Sequence, residues 1–297
     1  MLRNASICSI LRPLILPVLI AAPVICTWGC VAKLKLAAAN SLMKDVEAAI
    51  DQHDDLELVT QAIPTYLLVL EGLRQGDPHN PRLLTTLAQA YTSYATLVEI
   101  DDPQRAGRLY QRAKTYGLQA LAQDKQLAAL LEAPYGQFVQ IRAQLKPKEV
   151  DRVFWAALSW GAWISTHTQS MAALADLPKV ILLMEWVVAQ DETLFYASPH
   201  VFLGVYQAAV PAALGGNPEQ SLYHFDRALA LTKGQALMVY VQKARFYARQ
   251  VFDRPLYESL LNQVLILPVD SNPDLILQNM AARKLAKQLL EETDEIF

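Results

Sequence analysis

Six of the prolines in this chain directly follow Asp, Asn or Ser, and these pairs divide much of the sequence into helix-length segments. A short side chain with an oxygen atom can accept hydrogen bonds from the free N–H groups that begin a helix. Proline suits the first helical position, because its missing N–H group is not needed there. Each pair therefore predicts a helix start: Asp77-Pro78, Asn80-Pro81, Asp102-Pro103, Ser198-Pro199, Asn217-Pro218 and Asn272-Pro273.

Between these pairs, apolar residues recur at steps of three and four, which is the spacing of an amphipathic helix. No segment has the alternating pattern and turn residues of a β-hairpin. The sequence therefore predicts an all-α domain over residues 41–297 with about 11–12 helices. The predicted helices span 41–60, 62–75, 80–98, 103–123, 126–144, 147–169, 177–190, 199–213, 217–231, 234–251, 254–266 and 273–294.

The three cysteines, Cys8, Cys26 and Cys30, all lie near the N-terminus. They lie in or beside an apolar stretch from Pro13 to Ala32 that contains no charged residue. A positively charged start followed by an apolar core is typical of a secretory signal peptide. Because no thiol follows Cys30, we expect the helical domain to fold without disulfides or cysteine-bound metal.

The end of this apolar stretch, Thr-Trp-Gly-Cys at residues 27–30, resembles the lipobox of bacterial lipoproteins. The resemblance implies a lipoprotein signal peptide at 1–29 and a diacylglycerol group on the thiol of Cys30. It also implies that residues 30–40 form a lipidated tether before the helical domain. The domain is then expected at the periplasmic face of a membrane.

Two features of the same segment bear on the anchor. Val31 follows the cysteine where Asp would otherwise favour the inner membrane, so the analogy favours the outer membrane of a Gram-negative bacterium. Attachment at Cys26 is an alternative. An uncleaved anchor helix is another, because about twenty uncharged apolar residues are enough to span a bilayer.

Composition and motifs argue against nucleic-acid binding and against several kinds of catalysis. The 297 residues are 53% hydrophobic and 19% charged, the formal net charge is -3, and Lys and Arg are interspersed with acidic residues rather than gathered in a basic stripe. The chain has no glycine-rich phosphate loop, no zinc-protease motif and no serine-nucleophile elbow. Its five histidines are scattered, and no two lie at a ligand spacing on one predicted helix. We therefore predict no enzymatic activity, no cofactor and no metal site.

Large and small residues recur in helix pairs in the order that is typical of tetratricopeptide repeats. Small residues are needed where two helix backbones approach closely, and aromatic residues fill the space beside them. Three pairs follow this order, which predicts a tetratricopeptide-like array of helix pairs. Their key residues are Leu84, Leu87, Ala88, Tyr91, Ala106, Tyr110 and Ala113 in the first pair, Leu203, Gly204, Tyr206, Ser221, Phe225 and Ala228 in the second, and Ala244, Tyr257 and Leu261 in the third.

A more specific resemblance begins at residues 199–206, Pro-His-Val-Phe-Leu-Gly-Val-Tyr, and continues in Leu-Gly-Gly-Asn-Pro-Glu at 214–219. This pattern is similar to the T-component family of tripartite ATP-independent periplasmic (TRAP) transporters. The similarity covers most of residues 41–297. Further matching segments are 154–164, 224–228, 244–254, 260–265 and 279–281.

The family resemblance implies a lipid-anchored periplasmic protein that associates with the substrate-binding protein of a TRAP transporter. It also implies a homotrimer, and a central cavity or pore in the helical array that holds or conducts a small apolar ligand. The competing hypothesis is a tetratricopeptide scaffold for envelope assembly that holds no ligand.

Two groups of side chains are candidates for these roles. Aromatic residues either line the implied cavity or pack between helices, because aromatic walls suit apolar ligands and helix interfaces alike. Three arginines either contact the partner protein or form a structural ion-pair network. The aromatic candidates are Trp155, Trp160, Trp163, Phe202 and Tyr206, and the arginines are Arg245, Arg249 and Arg254.

Overall fold

The computed structural model describes residues 43–211 and 215–297. The chain forms two compact units, Met1–Ile50 and Asp51–Phe297. The described part of the first unit lies in helix α1, over 43–51. The predicted signal peptide at 1–29, the tether at 30–40 and the lipid-attachment residue Cys30 lie outside the described residues.

The second unit is built from helices, and the described residues contain no strand, which confirms the all-α prediction. A π-helical turn, Lys243–Ala248, directly follows α13, and 3₁₀ turns at Pro147–Glu149 and Pro273–Leu275 precede two of the longer helices. The helices are α2 (Leu56–Gly76), α3 (Pro81–Glu99), α4 (Pro103–Leu121), α5 (Lys125–Leu131), α6 (Tyr135–Phe138), α7 (Ile141–Gln144), α8 (Val150–Ser165), α9 (Met171–Ala175), α10 (Leu177–Gln190), α11 (Leu194–Ala209), α12 (Pro218–Leu231), α13 (Leu237–Gln242), α14 (Arg254–Ile266), α15 (Ile276–Glu291) and α16 (Thr293–Ile296).

Three of the six predicted caps begin α-helices as expected. Asn80, Asp102 and Asn217 each accept hydrogen bonds from backbone N–H groups in the first turn of α3, α4 and α12. Asn272 caps the 3₁₀ turn that leads into α15. The prediction for Asp77 was wrong, because its backbone N–H closes the end of α2 and the next helix begins after Asn80.

The remaining pair is Ser198-Pro199. The Ser198 hydroxyl group donates to Phe195 O at 2.6 Å instead of accepting hydrogen bonds from the N–H groups of a helix start. Just before it, Phe195, Tyr196 and Ala197 have φ values of 44°, 59° and 60°, so the chain makes a left-handed turn before the right-handed part of α11. Such a run is unusual outside glycine, since left-handed geometry costs about 1–2 kcal/mol per residue. Packing of the buried residues must hold it.

The helix prediction was wrong in two stretches of the chain. The predicted break between 60 and 62 is absent, because α2 continues through Pro64 and starts earlier, where Asp55 caps it. The single helix predicted at 126–144 is three short helices, α5 to α7. Pro134 directly precedes α6, and residues near a proline tend to leave the helical conformation.

The predicted large-and-small residues are buried where the helices pack, except Tyr206, which is half-buried. In the first pair, Ala106 and Ala113 of α4 are fully buried against α3. In the second, a side chain at Gly204 would meet the Phe225 ring at 3.1 Å, so the aromatic ring fills the space that glycine leaves. In the third, Ala244 and Tyr257 belong to one core cluster with α15. The assignment of these pairs as tetratricopeptide repeats stays a prediction.

Helix α2 packs against α3 through one face and leaves in solvent a face on which Glu57 is the one exposed charged residue. Its length of 21 residues and a mean hydropathy of 1.2 over an 18-residue window would allow it to span a membrane. Within the protein, 22% of that window is buried. On the buried side, Glu71 accepts hydrogen bonds from Tyr91 at 3.0 Å and from Tyr116 at 2.5 Å. Burial opposes ionisation of Glu71, but these hydroxyl groups and Arg74 lower its pKa below the ordinary value. The carboxylate therefore ties α2 to α3 and α4.

Candidate functional site

A cavity of about 510 Å³ lies among α3, α13, the π turn, α14, α15 and α16. This volume falls in the range of small-molecule pockets, about 300–1,000 Å³. Its wall combines apolar side chains with a few charged ones. The lining residues are Thr96, Glu99, Ile100, Pro103, Met238, Gln242, Arg245, Arg249, Tyr257, Ala281, Leu285, Gln288, Leu289, Glu292, Glu295 and Ile296.

Two of the predicted arginines, Arg245 and Arg249, lie on the wall of this cavity. Within 43–211 and 215–297, neither guanidinium group has a hydrogen bond or an ion pair, and Arg245 only faces the ring of Phe246 at 5.4 Å. Arg245 is half-buried, whereas Arg249 is exposed. Positions four residues apart lie on one face of a helix, where like charges repel each other.

The π turn places the first of these arginines. Lys243–Ala248 interrupts the α-helical hydrogen-bond pattern in the middle of an otherwise continuous helical segment. Such turns are rare and occur frequently at functional sites. Within the turn, Lys243 is nearly buried and donates to Asp226 Oδ1 at 2.6 Å. This bond fixes the turn against α12 on one side while Arg245 faces the cavity.

The carboxylates of the cavity wall differ in their partners. Glu99 accepts a hydrogen bond from Tyr110 at 2.7 Å, and burial together with the charge of Glu99 raises the pKa of Tyr110. Glu292 and Glu295 are exposed, near the C-terminus of the chain. The arginines therefore share the wall with three carboxylates, yet no carboxylate oxygen of the described residues lies within ion-pair distance of either guanidinium group.

The third predicted arginine, Arg254, is engaged elsewhere. It donates to Glu258 at 2.7 Å and to Asp294 at 2.7 Å. It does not line the cavity. Arg254 therefore fits the alternative of a structural ion pair. The other two arginines lie on the cavity wall instead.

A second, more open cavity of about 450 Å³ is lined by positively charged side chains, but most of them already donate hydrogen bonds to other groups. Arg283 donates to the backbone oxygens Val264 O and Leu267 O, and Lys284 donates to Asp101 at 2.6 Å. These bonds leave Lys287 as the remaining cation on its wall. The site is therefore a weaker candidate for binding.

The tryptophans of α8 form a separate cluster with a lysine of α4. The ammonium group of Lys114 lies 3.3 Å from the ring centroid of Trp163 and 5.7 Å from that of Trp160, and Trp163 stacks on His167 at 4.6 Å. Burial lowers the pKa of Lys114. The indole nitrogens of Trp160 and Trp163 are buried without a partner among the described residues. The structure therefore places two of the aromatic candidates, Trp160 and Trp163, together around Lys114.

The other aromatic candidates pack at different places. Trp155 is nearly buried and contacts Phe195 of the left-handed turn, with ring centroids 5.0 Å apart. The ring of Phe202 lies so close to Gly161 that a side chain there would approach it to 2.4 Å. Tyr206 is half-buried, and burial raises its pKa. None of the five aromatic candidates lines either of the two cavities described above.

Sequence reasoning missed one polar cluster, formed by Glu192 just after α10 and by side chains within α11 and α12. His200 Nδ1 lies 2.8 Å from His224 Nδ1, and His200 Nε2 lies 3.2 Å from Glu192 Oε2. Arg227 donates two hydrogen bonds to the same carboxylate. The two histidines lie 24 positions apart in the sequence. No local pattern links them, because only the packing of α11 against α12 brings them together.

The cluster is held in a defined protonation pattern. Hydrogen bonds from Arg227 and His200 lower the pKa of Glu192 to about 2. Burial lowers the pKa of His200, and burial with the neighbouring His200 lowers the pKa of His224 to about 4. No group of three or more His, Cys, Asp and Glu side chains in the described part of the chain is arranged to hold a metal ion. The two imidazole rings instead form one hydrogen bond between their Nδ1 atoms.

Comparison with known proteins gives one result at the family level. The family model described as "TRAP transporter T-component" matches residues 52–297, which is most of the chain. No curated protein matches the chain.

Proposed function

The chain belongs to the TRAP transporter T-component family, and on that basis we propose that this accessory component docks the transporter's periplasmic substrate-binding protein and holds a small apolar ligand. The observation that carries the ligand part is the cavity of about 510 Å³ with its apolar wall of Met238, Leu285 and Ile296. Pockets of this size that combine apolar side chains with placed polar groups are the usual sites of small ligands, and half of the residues that line this cavity are polar or charged.

Docking is proposed at the exposed part of the cavity wall, which carries Arg249, Glu292 and Glu295. The test is capture of the purified substrate-binding protein of the same transporter by the purified chain. Arg249→Glu should weaken capture, whereas Arg108→Glu, an exposed arginine of α4 outside the cavity, should not. Wild-type protein that captures no substrate-binding protein would refute the docking role.

Ligand binding is tested with N-phenylnaphthylamine, a neutral apolar dye that fluoresces in apolar surroundings. We expect saturable binding that Met238→Gln weakens, because this change places a polar amide on the cavity wall. The sequence-based alternative is that Trp163→Ala or Tyr206→Ala weakens binding of the dye while the domain stays folded. A loss in Trp163→Ala would place the ligand at the tryptophan cluster of α8 instead, and a loss in Tyr206→Ala would place it beside Tyr206.

An envelope scaffold without a ligand is the competing function. It predicts no saturable dye binding and capture of envelope assembly proteins in place of the substrate-binding protein. No cofactor and no nucleic acid enters either function.

Membrane attachment is proposed through a lipid on Cys30, at the periplasmic face of the outer membrane. Mass spectrometry of the mature N-terminus should find a diacylglycerol-modified Cys30, and Cys30→Ser should release the protein from the membrane fraction. A mature chain that retains residues 1–29 would favour the uncleaved anchor.

A homotrimer is proposed through the exposed face of α2. Glu57 is the one exposed charged residue of this face, and its large apolar side chains Leu58, Leu68 and Val69 are 51%, 73% and 54% exposed. Exposed apolar patches of this kind often mark protein interfaces. Light scattering should give a trimer mass that Leu68→Glu reduces, whereas Met171→Glu, at another exposed apolar residue, should leave it unchanged.

A further inference from the structure

We propose that Phe252 is the aromatic anchor of the docking surface, and that it enters an apolar pocket with a carboxylate at its edge on the substrate-binding protein. This inference rests on the proposed docking function. It specifies which side chain the partner receives and what kind of pocket receives it.

The first argument is the exposure of the ring. Phe252 is 81% exposed, and no large apolar side chain of the described residues is more exposed. Most of this ring therefore meets water in the isolated chain, so its burial in a partner would be favourable. Single aromatic residues that fill a pocket of the partner often dominate the energy of a protein interface.

The second argument is the backbone that presents the ring. Phe252 has a φ of 55°, in the left-handed region, at the end of the helical segment that contains the π turn. Its N–H group donates to Arg249 O at 3.2 Å, and the next N–H group, of Asp253, donates to Ala248 O at 2.9 Å. This pair of bonds is a common end of a helix, and glycine is the usual residue at the left-handed position because it has no Cβ atom.

Phenylalanine therefore destabilises the turn, and its exposed ring gains little packing within the chain in return. Strained positions that the surrounding structure does not explain are often functional. The residue type at 252 thus fits recognition better than folding.

A matching turn in the same chain supports this distinction. Lys233, at the end of α12, has a φ of 52°. Its N–H group donates to Ala230 O at 3.2 Å, and that of Gly234 donates to Leu229 O at 2.9 Å, as in the turn at Phe252. The same backbone is thus built with an exposed lysine, whose ammonium group stays in water. The turn itself does not require an aromatic ring.

The third argument is the charge that flanks the ring. Asp253 accepts a hydrogen bond from Leu256 N at 2.9 Å, and Arg254 is paired with two carboxylates. Arg249, three positions before Phe252, is exposed and has no hydrogen bond or ion pair from its guanidinium group within 43–211 and 215–297. The unpaired charge beside the ring is therefore positive, and a carboxylate at the edge of the partner's pocket would complement it.

The position of the turn also fits the docking surface. Arg249 belongs to the exposed part of the cavity wall. On the other side of Phe252, Arg254 donates to Asp294 at 2.7 Å and so joins the turn to the C-terminal segment that carries Glu292 and Glu295. A partner that covers the exposed wall would therefore also reach the ring.

A protein pocket fits these observations better than a membrane surface. Helices that bind a membrane do so through a broad apolar face. Beside Phe252, only Val251 adds an exposed apolar side chain, and charged residues follow directly at Asp253 and Arg254. One ring among charges suits a pocket with a polar edge.

The first test measures binding of the purified substrate-binding protein to the purified chain. Phe252→Ala removes the ring and keeps the left-handed backbone strained, so we expect the dissociation constant to rise by at least about tenfold. Ile266→Ala, at the end of α14, removes an apolar side chain that is also 81% exposed and should leave the constant within about twofold. The loss in Phe252→Ala should be equal at about 0.05 M and 0.5 M salt, because an apolar contact is not screened.

The second test separates recognition from folding. Phe252→Gly relieves the strain, so we expect the melting temperature to rise by about 2–4 °C while partner binding weakens as in Phe252→Ala. Lys233→Gly should raise the melting temperature by a similar amount and leave partner binding unchanged. If Phe252→Gly lowers the melting temperature, the ring supports the fold and the anchor role is refuted.

The remaining outcomes distinguish the anchor from the docking function. If the wild-type chain binds the substrate-binding protein and Phe252→Ala binds it equally well, docking stands and the anchor is refuted. If the wild-type chain does not bind it, the docking function itself fails. Two results would assign the ring to another occupant and refute the protein pocket. One is a fall in the mass of the chain in light scattering on Phe252→Ala, and the other is loss of binding to vesicles of phosphatidylethanolamine and phosphatidylglycerol in that variant.

Discussion

The imidazole rings of His200 and His224 face each other across the interface of α11 and α12, with their Nδ1 atoms 2.8 Å apart. One Nδ1 atom must donate and the other accept, so both rings cannot carry two protons without losing this bond. Glu192 accepts from the far side of His200, Arg227 holds Glu192, and the exposed Tyr223 lies beside both rings. The pair is stable when it shares a single proton at the contact.

This contact predicts a loss of stability in mild acid. The pKa of His224 falls from 6.5 to about 4 on folding, so the unfolded chain binds the proton more tightly than the folded one. The contribution is fully present above pH 6.5 and is lost as the pH falls from 6.5 toward 4, with about 2 kcal/mol lost by pH 5. Urea unfolding at pH 7 and pH 5 measures it.

The control for this prediction is His224→Gln, which should flatten the pH dependence between 6.5 and 4.5. Glu192 contributes only at lower pH, because its pKa falls from 4.5 to about 2 and its stabilisation is lost below 4.5. An unchanged slope in His224→Gln would show that other groups control the acid response.

Gly117 predicts how closely α4 and α8 approach each other. A Cβ atom at Gly117 would lie 2.8 Å from Ala156 Cα, which is backbone and cannot move aside. We expect Gly117→Ala to destabilise the fold by about 1–3 kcal/mol. Gly72→Ala is the matched control, since nothing lies within 4 Å of that position in α2, and it should stabilise by up to about 1 kcal/mol. Thermal denaturation of both variants tests the pair, and equal shifts would contradict the close approach.

Asn279 joins three segments through one buried amide. Its side chain accepts from Leu237 N at 2.9 Å and donates to Gln235 O at 3.0 Å and Val269 O at 2.9 Å. Asn279→Ala leaves these backbone groups without their partner, so we expect a loss of about 2–4 kcal/mol in unfolding free energy. Asn279→Asp keeps the acceptor and loses the donors. Chemical denaturation should give a higher unfolding free energy for the wild type than for either variant. An unchanged unfolding free energy in Asn279→Ala would refute the role of this amide.

The left-handed turn predicts an unusual gain from glycine. Ala197 has φ of 60° and is fully buried, so its Cβ atom is strained. Ala197→Gly should raise the unfolding free energy by about 1 kcal/mol. Ala228→Gly, at a buried position in the middle of α12, should lower it by a similar amount. The prediction fails if both changes destabilise the chain.

The parts of the fold that could be read from sequence are those governed by local chemistry. The caps at Asn80 and Asp102 and the all-α class follow from short-range rules, and the structure confirms them. The family assignment, carried by motifs at 199–219 and beyond, is confirmed over 52–297. Asp77 misled because its side chain fits a helix start and its backbone fits a helix end equally well.

The candidate site depended on packing that no local pattern reveals. Arg245 and Arg249 were singled out, but their place on a cavity wall needed the approach of α3 and α15. His200 and His224 meet only because α11 and α12 lie side by side. The left-handed turn at Phe195–Ala197 was invisible as well, since nothing in those residue types favours positive φ.

The π turn at Lys243–Ala248 sets how far the helical residues after it are rotated about the helix axis relative to those of α13. Each position of an α-helix is rotated by about 100° from its neighbour, so trimming a single residue from this turn would swing everything downstream by that angle. Arg249 would then leave the wall it now shares with Arg245, while the buried anchor Lys243 stayed in place. The relative position of Arg245 and Arg249 thus depends on the number of residues in the π turn. Insertions or deletions there should alter binding at the cavity more than most side-chain substitutions.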